Sequence, residues 1–245
     1  MSLICIIGNS HIGALAQSSD GIRRLRDKGH EVVFWGVAGQ NFQKIAVDGH
    51  LLRSPNPKHS LIVSEGRFEH LDLRVPDVMM FYAFNVSPSY QSRRMALAMQ
   101  QARHVTSGLQ QALEAEMLQT WWSGSLARNV IDRISTAFPD KTYGFAAQPL
   151  FAPNDDYLDK IEDPGLVRHF QGRILGRCER WMTEHNVRFI AQPDETREGD
   201  FFTKAIYTKG SARLATGEQH ETEDFAHMNA AYGEIMLGRI AQTLL

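Results

Sequence analysis

The chain has 245 residues, of which 43% are hydrophobic, 22% charged and 9% aromatic. These values lie near the averages for soluble globular proteins and exclude disordered, collagen-like and disulfide-scaffold classes. Lysine and arginine total 26 against 28 aspartates and glutamates, and this balance indicates neither a nucleic-acid partner nor an anionic membrane. A chain of this length can bury one core, so we expect a single domain over residues 1–245.

The N-terminal segment and the cysteines favour a cytoplasmic protein. The segment lacks a basic leader, and its apolar run Leu3–Ile7 is too short for a signal peptide or a membrane span. Cys5 and Cys178 lie far apart, and neither has a second cysteine nearby. We therefore expect no membrane span, no disulfide framework and no cysteine-bound metal.

Strands and helices alternate along the chain, which predicts an α/β protein with a parallel sheet. The predicted strands are Leu3–Ile7, Glu31–Gly36, Val75–Phe84, Lys141–Ala147 and Val187–Ala191. Helical periodicity covers residues 12–28, 89–118 with a break or bend at Ser107-Gly108, 125–137 and 164–184, and a last helix begins near Met228. The long connections over residues 53–75 and 84–130 are expected to rim a pocket.

The turn after the first strand reads Gly8-Asn9-Ser10-His11-Ile12-Gly13 and permits three interpretations. Ser10 replaces the middle glycine of a dinucleotide fingerprint, and Ala14-Leu15 replaces the lysine and hydroxyl residue of a phosphate loop. In the third interpretation Ser10 is a nucleophile beside a helix N-terminus, where free N–H groups favour an oxyanion. The alternative is that Ser10 simply caps the helix.

A second segment, near the C-terminus, offers the base that such a serine needs. Asp224 precedes His227 by three residues in a loop that enters the last helix. An acid at this spacing can accept the Nδ1 proton and leave Nε2 facing a serine. The alternative is a helix start with Asp224 as the cap and His227 on the surface.

Taken together, these segments resemble the first and last conserved blocks of the SGNH (GDSL-type) hydrolase superfamily. Two middle blocks of that family, a glycine after the second strand and Gly-x-Asn after the third, have counterparts in Gly36-Val37-Ala38-Gly39 and Ala83-Phe84-Asn85. The chain departs from the pattern at Ala83, where the family has glycine, and at Asn9, where aspartate is usual.

The resemblance implies a three-layer α/β/α, flavodoxin-like fold with five parallel strands in the order 2-1-3-4-5. It implies that Ser10 is the nucleophile, His227 the general base and Asp224 the residue that orients it. The implied oxyanion hole consists of the Ser10 amide, the amide of Gly39 or alternatively Gly36, and the Asn85 side chain. Donors from three neighbouring strand ends would then converge where charge develops during acyl transfer.

The expected activity is serine esterase chemistry on an acyl ester of a lipid, a thioester or an acetylated carbohydrate. Two alternatives stay open: an acyltransferase of cell-surface polysaccharide assembly with the same triad, and a non-catalytic binding protein. His11 is expected beside the substrate or against the last helix, and Trp121-Trp122 either in the core or stacked on a sugar. The other histidines lack metal-ligand spacing, so we expect no metal and no cofactor.

Overall fold

The computed structural model describes residues 1–102, 104–154, 156–214, 216, 218–219 and 224–245. This part of the chain forms strands β1 to β10 over Ser2–Gly8, His30–Gly36, Ala46–Asp48, Leu51–Arg53, Leu71–Asp72, Val78–Ala83, Thr142–Ala147, Val187–Phe189, Arg197–Glu198 and Phe202–Thr203. Helices α1 to α8 cover Gly13–Ala16, Ser19–Asp27, Pro57–Val63, Pro88–Gln101, Ser107–Ser123, Leu126–Ala137, Pro164–Glu184 and Ala230–Leu244. Short 3₁₀ helices cover Ser10–Ile12, Gly39–Lys44, Asp194–Thr196 and Ala205–Tyr207.

The main sheet has five parallel strands in the order β2-β1-β6-β7-β8. Counting only the strands of this sheet, that order is 2-1-3-4-5, so the predicted α/β fold and its strand order are confirmed. Gly8 at the end of β1 pairs with Gly36 on β2 and with Tyr82 on β6. The carboxyl ends of three adjacent strands therefore meet at one edge, where open α/β sheets bind ligands.

Alternate side chains of each central strand enter two separate cores. Ile4 and Ile6 of β1 pack with α1, α2 and α8, whereas Cys5 and Ile7 pack with α6 and α7. Both faces of β1 are thus covered, which explains its uninterrupted apolar run. Cys5 and Cys178 are buried free thiols, and burial raises the pKa of each.

Several predicted boundaries differ from the structure, each for a local reason. The third sheet strand begins at Val78 rather than Val75, because Val75 is exposed and Pro76 lacks an N–H for the ladder. It ends at Ala83, the first of three consecutive residues with positive φ. The first predicted helix divides after Ala16, where the Glu234 carboxylate accepts hydrogen bonds from Ser18 and Gly21 and starts α2.

The long helix predicted over residues 89–118 consists of two helices. Ser107-Gly108 begins α5 instead of breaking a helix, because the Thr106 hydroxyl caps the N–H of Leu109. The segment over residues 53–75 contains α3 and β5. Strand β5 pairs with β4 and so completes a three-stranded antiparallel sheet in the order β3-β4-β5. Within the described residues no helix combines the length and apolar character that crossing a bilayer requires.

A close contact between α1 and α8 joins the two ends of the chain. A Cβ atom at Gly233 would lie 2.0 Å from the Ala14 carbonyl oxygen, so only glycine permits this approach. The next residue, Glu234, accepts hydrogen bonds from the Ser18 hydroxyl at 2.6 Å and the Gly21 N–H at 2.7 Å. The start of α8 is therefore fixed against the helices that follow β1.

We expect Gly233→Ala to lower the free energy of unfolding by about 1–3 kcal/mol, because the added methyl group forces the two helices apart. Gly238→Ala is the matched control: it lies on the same helix, meets nothing within 4 Å, and should gain up to about 1 kcal/mol in helix propensity. Urea unfolding of both variants measures the difference. Equal stabilities would show that the contact does not constrain α8.

Candidate active site

Ser10 lies directly beyond the carboxyl end of β1. Asn9 has extended backbone angles, and the chain then turns into the 3₁₀ helix Ser10–Ile12. A Cβ atom at Gly8 would meet the Tyr82 carbonyl oxygen at 2.5 Å, which explains the glycine before this turn. The Ser10 hydroxyl is thereby lifted out of the sheet and lies 2.9 Å from His227 Nε2.

His227 and Asp224 form a locally built pair before α8. The Asp224 Oδ2 atom is 2.7 Å from His227 Nδ1, and its Oδ1 atom accepts the N–H groups of Ala226 and His227, each at 2.9 Å. Asn229 then caps α8 by accepting the Tyr232 N–H. The capped helix start and the aspartate turn together hold the imidazole toward Ser10.

The charge on Asp224 decides which nitrogen of His227 carries the proton. Burial by itself would raise the pKa of Asp224, but hydrogen bonds from the His227 ring and from two main-chain N–H groups hold it well below its usual range. An ionised carboxylate can only accept hydrogen bonds, so Nδ1 must donate. Nε2 of the neutral ring is then the acceptor that faces the Ser10 hydroxyl.

His11, expected beside the substrate or against the last helix, lies against His227 itself. Its side chain is buried, and the two imidazole rings are stacked with centroids 4.6 Å apart and planes inclined by 15°. The contact restricts the tilt of the His227 ring. His11 thus borders the site from within the protein.

The two glycines after β2 occupy different positions. Gly36 pairs with Gly8, and a Cβ atom at Gly36 would lie only 1.8 Å from the Gly8 carbonyl oxygen. Gly36 therefore has a packing role that requires glycine. Gly39 follows in a left-handed conformation (φ +63°) and begins a 3₁₀ helix, where a main-chain N–H has no partner within the helix.

The turn after β6 carries three consecutive left-handed residues: Ala83, Phe84 and Asn85 have φ of 64°, 34° and 57°. Residues other than glycine and asparagine rarely adopt the left-handed conformation, so the turn stores strain. It places the Asn85 side chain beside Asn9, whose Nδ2 donates to Asn85 Oδ1 at 2.9 Å. The glycine that the family has at position 83 would adopt this φ without strain.

Ser10, His227, Asp224 and His11 thus form one chain of contacts at the edge of the sheet, and Asn85 lies beside Asn9, the neighbour of Ser10. The contact of Asn9 with Asn85 was not predicted, because the position of Asn9 before a helix indicates only a cap. Trp122 is buried and packs edge-on against Trp181, with centroids 5.6 Å apart, so it belongs to the core. Among the described residues no three His, Cys, Asp or Glu side chains cluster as a metal site would require.

An open groove of about 500 Å³ borders Asp224. Its lining includes Asp224, Phe225, Asn154 and Thr208. Phe225 is 41% exposed, and its ring meets Phe151 edge-on at 5.3 Å between centroids. A separate cavity of about 290 Å³ lies between α7 and the ends of β7 and β8, and its lining does not include Ser10, Asp224 or His227.

Comparison with known proteins gives similarity in structure only. Neither models of protein families nor curated proteins match the chain. A candidate platelet activating factor from Streptococcus pneumonia superimposes with a TM-score of 0.52 at 11% identity, covering 98% of this chain and 82% of that one. A candidate acylhydrolase from Bacteroides fragilis gives a TM-score of 0.47 at 11% identity, over 98% and 85% of the two chains.

A GDSL-like lipase from Bacteroides thetaiotaomicron superimposes with a TM-score of 0.43 at 12% identity, covering 98% of this chain and 86% of that one. The SGNH hydrolase fold that the resemblance implied is confirmed. At identities this low the similarity concerns the fold, and the chemistry has to be argued from the residues of the site.

We expect Ala83→Gly to raise the free energy of unfolding by about 1 kcal/mol. Glycine removes a left-handed penalty of about 1–2 kcal/mol and returns about 0.5–1 kcal/mol as unfolded-state entropy. The matched control is Ala146→Gly, a buried alanine in β7 without a positive φ, which should lose stability. Thermal unfolding distinguishes them; similar losses in both variants would mean that position 83 is not strained.

Proposed function

We propose that the chain is a serine esterase that hydrolyses carboxylic esters with Ser10, His227 and Asp224 as its catalytic triad. The carrying observation is one line of hydrogen bonds, 2.9 Å from Ser10 to His227 and 2.7 Å from His227 to Asp224. Ser10 and His227 are 217 residues apart in sequence. Two segments with independent local explanations thus meet in the geometry that acyl transfer requires.

In the first half of the reaction, Ser10 Oγ attacks the ester carbonyl while His227 Nε2 takes the hydroxyl proton. The positive imidazolium that results lies against the Asp224 carboxylate, which stabilises it. The tetrahedral intermediate collapses when the C–O bond to the alcohol breaks and His227 returns the proton to the leaving oxygen. The acyl group then remains on Ser10 as an ester.

In the second half, water replaces the alcohol. His227 takes a proton from the water, whose oxygen attacks the acyl-serine, and the second intermediate releases the carboxylic acid and regenerates the Ser10 hydroxyl. The negative oxygen of each intermediate would be met by the main-chain N–H groups of Ser10 and Gly39 and by the Asn85 amide. Removing one such donor typically costs about 10²–10³ in kcat.

The substrate that we propose is a small acyl ester whose alcohol component is a carbohydrate, as in an acetylated carbohydrate, or a lipid. The support lies in the open groove beside Asp224, whose lining mixes the Phe225 ring with polar side chains such as Asn154 and Thr208. Such a surface can accept both apolar and hydroxyl-bearing groups.

Ser10 should react covalently with a fluorophosphonate probe, because the His227 base makes its hydroxyl nucleophilic. Intact-mass and peptide analysis should show one adduct, on Ser10. Ser10→Ala should remove the adduct and lower kcat for p-nitrophenyl acetate at least about 10³-fold. Ser211→Ala, a buried serine distant in sequence from Ser10, is the control that should keep labelling. Unchanged turnover in Ser10→Ala would refute the triad.

Asp224→Asn should lower kcat by about 10³–10⁴-fold, because an asparagine NH₂ group facing Nδ1 favours the wrong tautomer of His227. The Asn Oδ1 atom can still accept the N–H groups of Ala226 and His227, so the loop should keep its shape. Steady-state kinetics combined with circular dichroism separate lost chemistry from lost folding. A folded variant with the original kcat would show that Asp224 does not orient the base.

A further inference from the structure

The Asn9 side chain connects a main-chain N–H to the amide of Asn85. Its Oδ1 atom accepts the His11 N–H at 3.1 Å, and its Nδ2 atom donates to Asn85 Oδ1 at 2.9 Å. Asn9 is 6% exposed, so water has little access to this pair. The arrangement joins the turn after β1 to the turn after β6.

The direction of these bonds follows from what each group can do. A main-chain N–H only donates, so the atom of Asn9 that faces His11 must be the oxygen. The other polar group of the Asn9 amide is then NH₂, which only donates. Asn85 must therefore accept this hydrogen bond with its oxygen. The His11 N–H therefore fixes the orientation of the Asn9 amide, and the Asn9 amide fixes that of Asn85.

The consequence for Asn85 is that its NH₂ group points away from Asn9. Neither N–H of that group donates to any described residue, and the side chain is half-buried rather than enclosed. Two donors thus remain available at the edge of the sheet that carries Ser10. If Asn9 accepted from Asn85 instead, one of those donors would be spent.

We infer that Asn9 is a positioning residue that turns the Asn85 amide donors toward the oxyanion. The inference rests on the proposed function, because it assigns Asn85 a role in the reaction. Beyond that function, the neutral amide of Asn9 determines how the Asn85 donors are oriented. The strained left-handed turn sets where Asn85 lies, and Asn9 sets which way its amide faces.

The test is a double-mutant cycle in kcat for p-nitrophenyl acetate. Asn9→Ser keeps an oxygen that can cap the His11 N–H but is too short to reach Asn85. We expect kcat to fall about tenfold with KM within twofold, since the donor matters in the transition state. In an Asn85→Ala background, itself slower by about 10²-fold, Asn9→Ser should change kcat less than twofold.

Two further variants serve as a second test and a control. Asn9→Asp preserves the size and the cap but cannot donate to Asn85 at neutral pH, so it should also lose about tenfold in kcat, coupled in the same way. Asn56→Ser makes the same change at the cap of α3, where Asn56 accepts the His59 N–H, and should leave kcat unchanged.

Each outcome has one interpretation. Equal losses in the two backgrounds, or no loss in either Asn9 variant, would overturn the inference while leaving a Ser10-dependent esterase in place. An Asn85→Ala enzyme with full activity would also overturn it. Turnover that survives Ser10→Ala would refute the proposed function, and this inference with it.

Discussion

The packing of α8 against α1 determines whether the two ends of the chain can form one site. Gly233 lets the helix backbones approach to a distance that a methyl group would prevent, and Glu234 fixes the start of α2 through Ser18 and Gly21. His227 lies three residues before α8. Because a helix start transmits its position to the adjoining turn, this contact sets the distance from His227 to Ser10.

The edge of the sheet imposes a second constraint, which is steric. Gly8 and Gly36 remove the Cβ atoms that would collide with neighbouring carbonyl oxygens, so β1, β2 and β6 converge closely at their carboxyl ends. The turn after β6 then has to reverse sharply and adopts left-handed angles at Ala83 and Asn85. Strain at this place is offset by the packing of the whole sheet, and the turn places the Asn85 side chain beside Asn9.

Much of the sheet could be predicted from sequence, because a strand buried on both faces is apolar throughout and Gly8 and Gly36 end two such runs. The pairing of Ser10 with His227 could be proposed because each lies near a helix start in a recognisable pattern: Ser10 follows the first strand, and His227 follows Asp224 by three residues. The bond between Asn9 and Asn85 could not be foreseen. It depends on a left-handed turn at Ala83, where a sequence pattern predicts only the end of a strand.

The division of charge across the site follows from these contacts. The Asp224 carboxylate lies behind His227, and its hydrogen bonds keep it charged although burial opposes ionisation. In the proposed reaction it would stabilise the imidazolium. At the turns after β1 and β6, Asn9 and Asn85 present neutral amides. In the proposed reaction, an amide oriented by a main-chain N–H would supply donors without adding charge beside the oxyanion. The neutral residue at position 9 is therefore compatible with a reaction in which negative charge develops beside it.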